Sequence, residues 1–368
     1  MGPKVDNIFL DNDVLQFTLQ NVNVTIANTI RRVILSDIET CVFRTYPHDK
    51  CDATFEVNTT RLNNEILKQR LSCIPIHIDD DEFPIDNFVL VIDKENTSNM
   101  VDYVTTEDFK LYDKITNNYM PQKDVEKIFP KNTISSQYID LVRLRPKISS
   151  EIPGERLKLT CKISKSCARN DSMFNVACNS SYGFTPDKNK IDIEWKKKEE
   201  ELKKDEKLTS DDIDYLKRDW YTLDAKRIFI PNSFDFTIQT VGPFSAYQLV
   251  KRSCKFIYDD IIDFKANISE VPINMSDTTI ENSFDIILHN KDHSFGKCLE
   301  YLLYTKYYEG DETLSYCGFQ KKHPHDEYSI IRLGYKNIVE KDTVIKNMSE
   351  ACDEGEQLFK EIEQLFIE

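Results

Sequence analysis

The spacing of apolar residues predicts an amphipathic helix over Val24–Ile38. Apolar side chains recur three and four residues apart, so that they line one face of a helix. They are Ala27, Ile30, Val33, Ile34 and Ile38. Asn23 or Thr25 is placed to cap the first turn. Burying four such side chains stabilises a fold by about 6–12 kcal/mol as an upper estimate. This face must therefore be covered by another part of the structure.

A second stretch near the C-terminus, Phe295–Tyr308, repeats this pattern. Its apolar stripe consists of Phe295, Leu299, Leu302 and Leu303, and Asp292 or Ser294 is placed to cap it. A strand-like run precedes each helix, Phe9–Leu19 the first and Phe284–His289 the second. Two interpretations stay open on the pattern alone. The helices are either two ordinary core helices or the centres of two related half-modules that pair with each other.

The rest of the chain alternates between strand-like and helix-like segments. Further strands are predicted at Glu39–Thr45, Phe88–Asp93, Asp140–Leu144, Arg156–Ile163, Ile191–Trp195, Phe234–Gln239, Ser315–Phe319 and Tyr328–Leu333. Further helices are predicted at Thr60–Leu71, Ser210–Trp220, Ala246–Phe264 and over a C-terminal stretch from Val344 to Phe366, which Gly355 is expected to bend or weaken. The Asn-, Ser- and Thr-rich stretch from Ala266 to Asn282 is predicted to be a linker.

Charge argues against a protein that grips nucleic acid over a broad surface. The 368 residues carry a formal net charge of −15, whereas affinity for nucleic acid rests mainly on Lys and Arg that neutralise phosphates. We therefore expect the chain to act through protein partners and to touch DNA only indirectly. No apolar run approaches the length of a membrane span, so no membrane partner is predicted.

The ten cysteines contain no C-x-x-C pair, which favours a reducing compartment without disulfides. As metal ligands, Cys161 and Cys167 with Cys178 match no zinc spacing, and His323 and His325 lie in a turn without a completing cluster. No P-loop, dinucleotide fingerprint or G-x-S-x-G motif occurs. We expect no cofactor, no metal and no catalytic residue. An enzyme whose Cys and His residues meet only in space remains the alternative.

Four blocks of sequence, in order along the chain, carry a resemblance to a known family. They are Asn28–Leu35 (NTIRRVIL), Asn58–Ile76, Phe234–Ile257, and Asp292–Leu303 with Cys317–His325. The blocks resemble the assembly subunits of multisubunit RNA polymerases. The first is similar to the N-terminal signature of the α-type subunits, and the next two are similar to the third-largest eukaryotic subunit and the archaeal D subunit. The last is similar to the eleventh eukaryotic subunit and the archaeal L subunit. The chain is thus similar to a third and an eleventh subunit fused, an arrangement reminiscent of polymerases of large DNA viruses.

The resemblance implies an α+β fold with α-subunit-like dimerisation modules, in which helices pack on antiparallel sheet, and a largely β insert domain. Residues 1–45 and 226–265 would form the third-subunit-like dimerisation domain and residues 46–225 the insert. Residues 266–282 would be the linker and residues 283–368 the eleventh-subunit-like domain. The family's four-cysteine zinc loop, expected after Ile76, is replaced here by DDDEFPIDNF, so no metal is carried over.

The resemblance also implies a function: a non-catalytic assembly platform that organises the largest and second-largest polymerase subunits, with small subunits as further partners. The two parts would pair within one chain through the four apolar residues of each helix, Ala27, Ile30, Val33 and Ile34 with Phe295, Leu299, Leu302 and Leu303. Large-subunit contacts would come from Arg31, Arg32, Glu65 and Arg70, although solvated helix positions explain Arg31 and Arg32 equally well. A viral cytoplasmic factory, a virion or the nucleus would be the location. The alternative is an interaction scaffold of this fold outside transcription.

Overall fold

The computed structural model describes residues 2–149, 151–204 and 209–366. Its antiparallel sheets and packed helices confirm the predicted α+β class. The chain forms two compact units. The first consists of residues 1–34, 179–239 and 246–368, and the second of residues 35–178 and 240–245.

The strands are numbered in chain order. They are β1 (Lys4–Asp11), β2 (Val14–Gln20), β3 (Glu39–Val42), β4 (Ala53–Asn58), β5 (Phe88–Glu95), β6 (Asp102–Thr105), β7 (Lys110–Asp113), β8 (Asn118–Tyr119), β9 (Asp140–Leu144), β10 (Arg156–Lys162), β11 (Ser164–Cys167), β12 (Ala177–Pro186), β13 (Phe229–Thr240), β14 (Ile273–Met275), β15 (Ser283–His289), β16 (Leu314–Gln320) and β17 (Tyr328–Tyr335). The α-helices are α1 (Val24–Ser36), α2 (Asn64–Ser72), α3 (Gln122–Ile128), α4 (Lys188–Leu202), α5 (Ser210–Thr222), α6 (Ala246–Ala266), α7 (His293–Leu303) and α8 (Lys341–Gln364).

The first unit contains two four-stranded antiparallel sheets, in the orders β1-β2-β13-β12 and β14-β15-β17-β16. Helix α1 follows the first hairpin, and the Asn23 side chain accepts a hydrogen bond of 2.9 Å from the Thr25 amide, as predicted for a cap. Helix α7 follows β15 in the same way. There the Asp292 carboxylate accepts from the Ser294 amide at 2.9 Å. Both predicted helix starts are thus confirmed.

Helix α6 packs against α8, and α7 also packs against α8. Gly355 does not break α8, which runs unbroken from Lys341 to Gln364. The glycine instead permits a close approach, because a Cβ at this position would come within 3.0 Å of Leu302 Cδ1 and 3.1 Å of Ile261 Cδ1. Gly355 therefore serves the packing of α8 against its neighbours, and the expectation that it bends or weakens the helix stays a prediction.

The second unit is built on a five-stranded antiparallel sheet of order β4-β10-β5-β7-β8, with two-stranded ladders β11-β3 and β6-β9. Its core contains a cluster of three aromatic rings. Phe43 stacks on Phe129 at 5.9 Å between ring centroids, and Phe109 meets Phe129 edge-on at 5.2 Å. Alternating positions of β10 are buried, as its period-two pattern predicts.

Several local predictions are wrong, each for an identifiable reason. Ile191–Trp195 is part of helix α4, because the buried pair is Ile191 and Trp195, four residues apart, whereas Ile193 between them is 52% exposed. The run Phe9–Leu19 is a hairpin, turning at Asn12 with φ 50°. The 266–282 segment holds strand β14, which pairs with β15. The helix predicted to Tyr308 widens after Leu303 into a π-helical turn over Tyr304–Gly310.

Gly154 offers a test of packing in the second unit. A Cβ at this residue would lie 1.8 Å from the Asn96 carbonyl oxygen, a backbone atom that cannot turn away. We expect Gly154→Ala to destabilise the protein by about 1–3 kcal/mol or more, measured by chemical denaturation. Gly183→Ala is the matched control, since a Cβ there meets nothing within 4 Å. Equal midpoints for the two variants would contradict the close approach.

Candidate assembly interface

The eight side chains predicted to line the helix pairing interface are all buried within the first unit. None is more than 8% exposed, and the atoms that cover them belong to this chain. They are Ala27, Ile30, Val33 and Ile34 of α1, and Phe295, Leu299, Leu302 and Leu303 of α7. Burial agrees with the apolar stripes read from the sequence, and the pairing role of these residues stays a prediction.

A polar seam connects α1 with the start of α7. Thr29 Oγ1 donates to the Ser294 carbonyl oxygen at 3.1 Å. Arg32 Nε donates to Ser294 Oγ at 2.8 Å, and its Nη2 forms an ion pair of 3.2 Å with Asp292 Oδ2. These contacts join residues about 260 positions apart in the sequence. They lie at the N-terminus of α7, where the helix dipole favours a carboxylate.

Asp292 serves two partners at once. One carboxylate oxygen caps α7 by accepting from the Ser294 amide, and the other accepts from Arg32. The sequence identified Asp292 and Ser294 only as capping candidates. The sequence analysis assigned no role to Thr29, although a hydroxyl residue among the apolar positions of α1 is the one clue to this contact. Thr29 is 3% exposed, and a buried hydroxyl needs a hydrogen-bond partner.

Aromatic and charged contacts extend this seam along α6, α7 and α8. Phe17 of β2 meets Phe366 edge-on at 4.8 Å between ring centroids, and Phe264 meets Phe295 at 5.1 Å. Two ion pairs accompany them, Lys291 with Asp260 and Lys265 with Asp353. Every one of these contacts joins a residue before 267 to a residue after 290. The N-terminal and C-terminal parts of the first unit are therefore in contact over several elements.

Each of the three helices α6, α7 and α8 also buries a cysteine. Burial raises the pKa of Cys298 and of Cys352 to about 12. It also raises the pKa of the Cys254 thiol. A thiol that stays protonated at neutral pH is a poor nucleophile and metal ligand. These residues therefore contribute as small apolar groups to the helix packing.

The residues predicted to contact a large subunit differ in their surroundings. Arg31 Nε donates to Asn28 Oδ1 within its own helix at 2.9 Å, whereas Arg32 is part of the seam. In the second unit, Glu65 is exposed in the first turn of α2, and Arg70 donates at 2.6 Å to the carbonyl oxygens of Asp140 and Leu141. Their contact with a partner stays a prediction.

The candidate metal residues are not brought into a common site. Across the residues that the structure describes, no group of three or more His, Cys, Asp or Glu could hold a metal ion. His323 and His325 stack at 5.0 Å in the β16–β17 turn. Cys161 is buried, with its thiol pKa raised by burial, Cys167 is half-buried and Cys178 is exposed. The described helices include none that could span a membrane.

Comparison with known proteins identifies the family of this fold. The RNA polymerase Rpb3/Rpb11 dimerisation domain matches residues 16–261, more than half of the 368-residue chain. The chain belongs to this family. The matched range begins in β2 and includes α1 and most of α6, and it ends before α7.

Individual relatives resemble this Rpb3/Rpb11-family chain over about half of its length. Human DNA-directed RNA polymerases I and III subunit RPAC1 is 24% identical over 209 residues, covering 50% of this chain and 55% of the relative. Dictyostelium discoideum DNA-directed RNA polymerase II subunit rpb3 is 26% identical, covering 52% and 62%. A Tetrahymena thermophila protein named conjugation stage-specific protein is 25% identical, covering 53% and 66%. The chain thus spans 55–66% of the length of these relatives.

A double-mutant cycle tests the seam. We expect Arg32→Ala and Asp292→Asn, which keeps a capping side chain, to couple by about 0.5–1 kcal/mol in the free energy of unfolding, because the pair is partly screened by solvent. Arg31→Ala combined with Asp292→Asn is the control and should show no coupling, since Arg31 contacts Asn28. Coupling of the same size in both cycles would refute a specific Arg32–Asp292 contact.

The apolar stripe of α1 yields a second test. Ile30 is 1% exposed, so Ile30→Asp buries a carboxylate without a partner. We expect a loss of roughly 3 kcal/mol or more of folding free energy, measured by urea denaturation. Val24→Asp in the first turn of the same helix should be tolerated, because Val24 is 40% exposed and an acidic residue is favourable there. A folded Ile30→Asp protein of normal stability would contradict the burial of this apolar face of α1.

Proposed function

We propose that this chain is a non-catalytic assembly platform of a DNA-directed RNA polymerase. It is a member of the Rpb3/Rpb11 dimerisation family and is similar to proteins named as polymerase subunits. The proposed role is to hold the largest and second-largest subunits together, with small subunits as additional partners. The polymerase active site lies in those partners, and this chain meets DNA through the complex.

The proposal includes pairing of two dimerisation modules within one chain. The observation that carries it is the seam in which Arg32 and Thr29 of α1 reach Ser294 and Asp292 at the start of α7. The region from residue 283 onward, which resembles an eleventh subunit, supplies three of the four strands of the β14-β15-β17-β16 sheet and the helices α7 and α8. A covalent tether raises the effective concentration of the second module to about the millimolar range, so pairing does not depend on the amount of a second chain.

We further propose that the fused arrangement belongs to the polymerase of a large DNA virus and that the protein works in a reducing compartment, such as a viral factory in the cytoplasm. The ten free thiols fit such a compartment. The alternative function is a scaffold outside transcription, and one observation favours it: the Tetrahymena relative is named for a stage of conjugation and not as a polymerase subunit.

Affinity purification of the tagged full chain from cells that express it separates these two functions. The platform role predicts recovery of two much larger chains that carry polymerase catalytic carboxylates, identified by mass spectrometry. Arg31→Glu is the informative variant, because among the described residues Arg31 forms its hydrogen bond within α1, whereas Arg32 supports the seam. We expect the Arg31→Glu bait to fail to recover the second-largest subunit without loss of thermal stability, and the exposed Arg218→Glu bait to recover it. Recovery of unrelated partner proteins alone would favour the scaffold function.

Pairing within one molecule is tested by a protease site inserted between Glu270 and Val271. Both residues lie in a short segment after α6 and before β14, so each product keeps its own sheet intact. After cleavage of the purified full chain, the two products should elute together on gel filtration as a one-to-one complex. Co-elution should weaken in a cleaved Arg32→Ala, Thr29→Val double variant. Separation into two folded monomers would refute the pairing.

A further inference from the structure

The second unit contains an open groove with a volume of about 650 Å³ that the proposed platform role does not use. Four parts of the chain line it: the loop from His77 to Phe83, Phe88 at the start of β5, the β7–β8 hairpin, and the start and end of α3. Pockets of several hundred Å³ are the size at which proteins bind small ligands or anchor side chains of a partner. The chemistry of the groove walls determines which of these ligands it can bind.

The inner surface of the groove is apolar and aromatic. Phe83 and Phe88 stack at 5.1 Å between ring centroids, and Tyr119 meets Tyr112 edge-on at 5.4 Å. Met120 lines the groove beside Tyr119. Tyr119 is 54% exposed, although a ring of this size is usually placed where it can bury its faces. Aromatic residues and Met are enriched where proteins bind partners, so this surface suits an aliphatic or aromatic side chain.

The rim of the groove, in contrast, favours a ligand with positive charge. Four carboxylates line the groove, Asp79, Asp80, Asp113 and Asp124, against one ammonium group, that of Lys127. Lys127 is already paired with Asp124 at 2.8 Å. Hydrogen bonds from the Ile115 amide and the Thr116 hydroxyl lower the pKa of Asp113, which keeps that group ionised. The rim is therefore negative at neutral pH.

His77 does not offset this charge. Burial lowers the pKa of its imidazole and outweighs the nearby Asp79 carboxylate, which acts in the other direction, so the ring is neutral at pH 7. A phosphate-rich ligand such as DNA, RNA or an anionic lipid headgroup would meet four carboxylates and is disfavoured. A ligand that combines cationic groups with an apolar anchor satisfies both the rim and the inner surface.

We propose that this groove binds a basic peptide segment of a partner protein, which inserts an aromatic or aliphatic side chain between flanking Lys or Arg residues. Complementary charge at the rim speeds association and selects the partner, while the buried anchor supplies most of the affinity. The proposal is independent of the platform role, because it concerns only residues of the second unit and holds whether or not the chain works in a polymerase.

Selection from a random-peptide phage library on the immobilised full chain tests the chemistry without knowledge of the partner. The expected winners carry two or more Lys or Arg residues around a Trp, Phe or Leu and are displaced by raised salt. Acidic winners, or no enrichment, would overturn the proposal. A synthetic version of the best peptide then serves as the probe, with its Lys and Arg residues changed to Glu as the negative control.

Methyl-labelled methionine allows the site of binding to be read by NMR in the intact protein. The peptide should shift the Met120 signal, whereas Met348, fully buried in α8 of the first unit, should not move. Tyr119→Ala should weaken binding about tenfold or more, with Tyr215→Ala, 71% exposed, as its control. Asp79→Lys should weaken it about fivefold, with exposed Asp49→Lys as the equal charge change away from the groove.

Three results would contradict the proposal at this stage. They are full affinity of both groove variants, a shift of the Met348 signal while the Met120 signal stays unchanged, and binding of spermine with the same affinity as the peptide. The last would mean that charge alone is recognised and that the apolar surface has no role. Unchanged thermal unfolding of the Tyr119 and Asp79 variants shows that any loss of binding is local, as expected for exposed side chains.

Discussion

Coverage of one apolar helix face is the constraint on which the first unit depends. Helix α1 carries six buried residues, and leaving such a face in water would forfeit free energy comparable to the entire stability of a domain. Strand β2, which pairs with the distant strand β13, leads into α1, and α1 itself forms hydrogen bonds with residues about 260 positions away. The topology is therefore fixed by long-range burial, and the polar contacts at Ser294 and Asp292 determine which end of α7 meets α1.

The same constraint explains why a whole second unit can be inserted at residue 35. The free energy lost in closing a flexible loop grows only with the logarithm of its length, by about 0.6 kcal/mol for each doubling. Residues 35–178, together with residues 240–245, form a unit with its own core of buried aliphatic and aromatic side chains. An insert that has its own core adds little to the conformational entropy that must be lost when α1 is covered. Surface side chains of the second unit, such as those that line the acidic groove, can then change without disturbing the packing of α1.

Sequence patterns predicted the elements whose cause is local. Helix starts at Asn23 and Asp292 follow from side-chain capping, and strand β10 follows from strict alternation. The pattern failed at Ile191, Ile193 and Trp195. All three residues, spaced two apart, fit a strand, whereas Ile191 and Trp195 alone, four apart, fit one face of a helix. Tertiary packing selects the helix, in which Ile193 is exposed to solvent. The groove and the Thr29–Ser294 hydrogen bond could not be predicted from the sequence pattern for the same reason, because each brings together segments that are distant in the chain.

Asp292 has a consequence for how the C-terminal module acquires its structure. One carboxylate stabilises the first turn of α7 and also receives Arg32 from α1. An isolated helix of this length is only marginally stable in water, and a capping carboxylate is held in its capping orientation more firmly when its second oxygen is also bound. Formation of the α7 N-terminus and arrival of α1 are therefore linked equilibria that favour each other. The order in which the parts are synthesised then matters: α1 leaves the ribosome first, so its partner helix emerges into the presence of the group that completes its first turn.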